Sequence, residues 1–127
     1  MTPRAAQLVE GADQAIATAQ RELGARELDS SSERACVAML RLAKACLDVD
    51  GLSPGPAREV CVAYGQTFGR TGRMYSAYFR WLLDATDLRK AAASDFAARP
   101  DYDAAATVVE RAEIFRDAVV RFLERSH

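Results

Sequence analysis

The sequence predicts an all-α fold, an up-and-down antiparallel bundle of four to five helices forming a single domain over residues 1–127. Three observations predict it. Apolar residues recur at helical spacing in five successive segments. No segment alternates apolar and polar residues as a half-buried strand would, and no Asn-Gly hairpin signal occurs. The links between segments are short, which sets neighbouring helices antiparallel.

The first helix has Thr2 as its N-cap and Pro3 at its first position, where a missing N–H costs nothing. Leu8, Val9, Ala12, Ala15, Ile16, Ala19 and Leu23 form one narrow stripe, and Gly24 ends the helix. Ser30 and Glu33 have capping-box spacing and open the second helix, with Ser30-Ser31-Ser32 read as linker and cap. From Ala35 to Val49 only Arg41, Lys44 and Asp48 are polar, so this helix needs covering by several neighbours and is the central one. Gly51 stops it, and Leu52-Ser53-Pro54-Gly55-Pro56 turns the chain.

The third helix runs from about Ala57 to Phe68, with Val60, Cys61, Tyr64 and Phe68 on one face. Gly69 and Gly72 separate it from a fourth, Met74 to about Ala93. Gly69-Arg70-Thr71-Gly72-Arg73 has two glycines and two arginines before a helix start, but it lacks the P-loop pattern and reads as a turn. Asp95 to Asp103 is a polar loop, and Asp103 caps a fifth helix carrying Val108, Ala112, Phe115, Val119, Phe122 and Leu123.

The fourth helix holds the most informative residue. At 100° per residue, Leu88, Trp81, Met74, Ala85, Tyr78, Leu82, Tyr75, Phe79 and Leu83 share a wide apolar arc. Arg89 projects between Tyr78 and Leu82. A guanidinium there either meets an anion, a cleft or a partner, or lays its stem on apolar surface with its head in water. The arc spans roughly 200°, wider than one core requires. A second buried face follows, most simply a two-fold dimer contact through Tyr75, Tyr78, Phe79 and Leu82. The alternative is that the third and fifth helices cover both sides within one subunit.

Composition narrows the function classes. Seventeen Lys and Arg against 18 Asp and Glu leave a net charge of −1, which is no nucleic-acid footprint by itself. Fifteen of those cations are Arg, a bias that suits phosphate but that genome composition explains more simply. Cys36, Cys46 and Cys61 are odd in number, lack C-x-x-C spacing and lie at apolar positions, so reduced core thiols are expected. Asp101, Asp103 and Glu110 lack cation-loop spacing and read as caps and solvated charge, so no metal and no cofactor is expected. There is no apolar span of membrane length and no signal-peptide pattern, which predicts a soluble cytoplasmic protein without membrane contact.

Four segments in order carry a family resemblance: SERACVAMLRLAKACLDVDGLSP (32–54), VCVAYGQTFGRTG (60–72), DLRKAAASDF (87–96) and ERAEIFRDAVVRFL (110–123). Together they resemble the HEPN superfamily, particularly the small bacterial members found beside minimal nucleotidyltransferases. The resemblance implies a helical bundle, usually dimeric. Many such proteins are ribonucleases, often the toxin of a toxin–antitoxin pair. Active members use an Arg followed four to six residues later by a His, with two subunits lining one cleft.

The Arg corresponds to Arg89, and Arg34 matches the Arg of the second helix, where a surface salt bridge is an equal reading. The His is missing. Six residues beyond Arg89 the next position is Phe96, and the family's Asp-Tyr appears as Asp95-Phe96 or as Asp101-Tyr102. The chain's one histidine, His127, is terminal and unsuited to catalysis. The leading expectation is therefore a catalytically degenerate binding protein, with Arg89, Asp95 and Arg34 facing a nucleotide, an RNA phosphate or a partner such as a nucleotidyltransferase. The alternatives are an active ribonuclease toxin using Arg89 with Asp95 or Tyr102, and a structural helical adaptor in which Arg89 forms only a salt bridge.

Overall fold

A computed structural model describes residues 1–126; His127 lies outside the described residues. Five α-helices follow one another, α1 (Pro3–Gly24), α2 (Leu28–Val49), α3 (Ala57–Tyr64), α4 (Ala77–Ser94) and α5 (Tyr102–Arg125). A π-helical turn, Gly65–Gly69, prolongs α3, and a short 3-10 turn, Phe96–Ala98, follows α4. No strand occurs among the described residues, so the molecule is an all-α bundle.

The central position of α2 follows from its apolar circumference. It packs against all four other helices. Cys36, Met39, Leu42, Cys46 and Leu47 along it are fully buried. The N-terminus of α1 is built as its sequence dictates, with the Thr2 hydroxyl accepting from the Ala5 N–H at 3.0 Å. Midway along, α1 is joined to α5 by Arg116, whose guanidinium grips Asp13 at 2.8 and 3.2 Å.

Two helix starts differ from expectation. Ser30 and Glu33 do not cap α2, which begins at Leu28 without a side-chain cap. The serines lie inside its first two turns instead: Ser31 is buried and donates to the Ala19 carbonyl of α1 at 2.8 Å, a tertiary partner that outweighs the local cap. Asp101, not Asp103, caps α5 by accepting from the Ala104 N–H at 2.8 Å, leaving Asp103 in the first turn, where a carboxylate still favours the helix dipole.

The wide arc of α4 is met largely within one subunit. Only Leu82, Ala85 and Thr86 are buried, while Tyr78, Phe79, Trp81 and Leu88 are half-buried against the core. The π-helical turn explains part of this. Phe79 lies over Gly65 and Gly69, so close that a Cβ on Gly65 would stand 2.5 Å from Phe79 Cζ and one on Gly69 2.8 Å from Cδ2. Gly65→Ala is therefore expected to lower stability by about 1–3 kcal/mol, the usual cost of overpacking. Thermal melts should show this loss, with Gly24→Ala as a neutral control because nothing lies within 4 Å of the added methyl.

Candidate functional site

The face of α4 that carries Leu82 and Ala85 into the core continues one turn later to Arg89. There the neighbour is the N-terminal part of α2, where the chain offers Glu33 and Cys36. Arg89 Nη2 lies 3.4 Å from Glu33 Oε1, with the arginine side chain 41% exposed. The guanidinium is thus neither engulfed nor free: its stem covers the α2–α4 seam and its head holds a surface carboxylate.

Beneath it is the Cys36 thiol. Burial pushes that thiol up to about 11, although the nearby Arg89 charge and hydrogen bond pull the other way. It keeps its proton at neutral pH and supplies neither a base nor a nucleophile. The other two cysteines are free and buried as well, and burial pushes Cys46 up to about 12.

The remaining expected site residues are not assembled around Arg89. Arg34 pairs with Glu22 at 3.5 Å. Asp95 accepts from the Ala97 N–H at 3.0 Å and so caps the 3-10 turn. Tyr102 opens α5 with the Arg26 guanidinium 4.5 Å from its ring centre. Phe96, at the position of the missing histidine, is 74% exposed and lies under Arg99 at 4.0 Å. Among the described residues no hydrogen bond or ion pair joins Arg89, Arg34, Asp95 and Tyr102 to one another. Nor does any group of three His, Cys, Asp or Glu among them have a metal-holding arrangement.

Of the expected dimer residues, Leu82 is corrected. It is fully buried inside the subunit and leaves no area for a second copy. Tyr78 packs on Phe115 at 5.3 Å, and Phe79 covers the two glycines. Tyr75 alone of the four is well exposed, its ring edge-on to Tyr78 at 5.4 Å.

Two clefts escaped the sequence. One, of about 310 Å³ between α4 and α5, is largely apolar, with Trp81 and Leu88 in its wall and the Arg111–Asp84 pair, 3.2 Å apart, at its edge. The other, of about 480 Å³, lies where the loop before α4 meets the end of α5 and is lined by Arg73, Arg121 and Arg125. The only sequence trace of the second was the Gly69–Arg73 segment, because Arg121 and Arg125 join it through the fold. No helix among the described residues is long and apolar enough to cross a membrane. No family model matches the chain, and no curated protein matches it.

Proposed function

We propose that the chain is an HEPN-like binding protein that engages a nucleotide or RNA phosphate through Arg89 without cleaving it. The observation that supports this reading is the state of Arg89. It stands on the core-facing side of α4, yet is held by one exposed carboxylate, and the thiol beside it is pushed up to about 11. A single exposed ion pair of this kind contributes about 0–1 kcal/mol. An incoming phosphate with bidentate geometry therefore displaces Glu33 at little cost. Strand cleavage is different, because it requires a base and an acid near neutral pH. Asp95 and Tyr102, the substitutes an active ribonuclease toxin would need, are engaged elsewhere. A homodimer sharing this face, and a nucleotidyltransferase partner, belong to the same reading.

Gel retardation of a single-stranded RNA tests it. Wild-type protein is expected to shift the RNA at full length, and Arg89→Ala to weaken binding by about tenfold or more. Glu33→Gln, which frees the guanidinium, should tighten binding. Equal affinity in all three proteins would overturn the proposal. The Arg89–Glu33 contact also favours a second reading, a helical adaptor in which the pair only ties α4 to α2. In that case Arg89→Met leaves every partner interaction unchanged.

A further inference from the structure

The cleft at the end of α5 has a charge pattern that its own fold does not explain. Arg121 and Arg125 stand one turn apart on α5, where like charges repel. Among the described residues neither guanidinium makes a hydrogen bond or an ion pair. The dipole at the C-terminus of α5 favours Arg125 but fades by Arg121. No acidic residue lines the cleft. The third cation, Arg73, is fixed in place: it holds Asp50 at 2.7 and 3.1 Å and lies 4.4 Å over the Phe68 ring. Its hydrogen bonds keep the Asp50 carboxyl below its ordinary value.

Beside these charges is an aromatic ledge. Tyr75 is 65% exposed, and Ser76 offers a hydroxyl next to it. The ledge continues inward from Tyr75 to Tyr78 and from Tyr78 to Trp81, with ring centres 5.4 and 5.3 Å apart. An exposed tyrosine bordering arginines is the arrangement that stacks a base while its phosphate is held. The volume of about 480 Å³ suits a small ligand of that kind.

We propose that this cleft binds a nucleoside monophosphate group, with the phosphate between Arg121 and Arg125 against the fixed edge of Arg73 and the base on Tyr75. The charge favours a monoester over a diester. Two unpaired guanidiniums match a dianion, whereas an internal RNA phosphate carries one charge and leaves one arginine unanswered. The site is independent of Arg89, which lies roughly 20 Å farther along α4 at 1.5 Å per residue. Two sources present this chemistry, a free nucleotide and the phosphorylated end of an RNA.

Titration of the purified protein with adenosine 5′-monophosphate tests the proposal, read by calorimetry and by fluorescence of Trp81, the chain's one tryptophan. Saturable binding is expected, with adenosine and inorganic phosphate each at least about tenfold weaker. The double variant Arg121→Gln with Arg125→Gln should lose about tenfold or more, with an unchanged melting temperature because neither side chain has a partner to lose. Tyr75→Ala should bring the nucleotide down to the level of inorganic phosphate. A 5′-phosphorylated oligonucleotide binding more tightly than the mononucleotide identifies an RNA end as the source, and the reverse order identifies the free nucleotide. Absence of saturable binding for both, or full binding in the folded Arg121/Arg125 double variant, would overturn it.

Discussion

Replacing Phe115 with alanine is expected to cost about 3–5 kcal/mol, the range for deleting a buried aromatic ring. Phe115 is fully buried on α5, edge-on to Tyr64 of α3 at 5.8 Å and against Tyr78 of α4 at 5.3 Å. α4 and α5 otherwise touch sparingly. The ring therefore joins three helices, and its loss leaves a void that none of them fills by a small shift. Urea unfolding should show a much lower midpoint with an unchanged slope. The neighbouring Ile114→Ala serves as the contrast: that side chain is 41% exposed and should change stability far less. Comparable losses for the two variants would contradict this account of the core.

Alkali should destabilise the protein steeply, and the cysteines are the cause. Burial pushes the Cys36 thiol up to about 11 and the Cys46 thiol up to about 12, from an ordinary value of 9.0. Arg89 and Glu33 face the first, with Cys61 near it, and Arg73 faces the second. Below pH 9.0 both thiols are protonated in the folded and the unfolded chain, so they add no pH dependence. Between 9.0 and about 11 the unfolded chain has released both protons and the native state still holds them. Each thiol then lowers stability by about 1.4 kcal/mol per pH unit, several kcal/mol in total. Above about 11 the Cys36 contribution ends while that of Cys46 continues. Burial also pushes the Cys61 thiol above its ordinary 9.0 and the Tyr64 phenol above its ordinary 10.0, so both add to the loss above those values. Urea unfolding at successive pH values should show the decline, and Cys46→Ala should make it shallower. A stability that stays flat from about pH 9 to about pH 11 would contradict the burial of both thiols.

What could be read from residues alone divides by the range of the interaction. The start of α1 was legible because the Thr2 hydroxyl serves an N–H three residues away. The central place of α2 was legible because its apolar circumference permits no other. The start of α2 was not: Ser31 answers to Ala19, and nothing local distinguishes that buried serine from a cap. Asp101 and Asp103 at the start of α5 are both chemically suited to capping, and nothing in the local sequence selects Asp101 over Asp103. The π-helical turn was invisible for the same reason, since Gly65 and Gly69 acquire their purpose from a ring on α4.

The candidate site follows the same division. The helical wheel isolates Arg89, because an arginine aligned with Leu82 and Ala85 is conspicuous. Its partners, Glu33 and Cys36, lie more than fifty residues earlier, and only the packing of α4 on α2 brings them near. The arginines at the end of α5 were hidden by distance in sequence from Arg73 and Tyr75. A residue pattern reveals which side chain is out of place, whereas the fold reveals what answers it.

Incubation of the purified protein with end-labelled RNA, followed by separation on a denaturing gel, tests the central claim most directly. The account predicts full-length RNA at every protein concentration, including concentrations at which native gels show it bound through Arg89. RNA fragments that accumulate with wild-type protein and vanish with Arg89→Ala would contradict it.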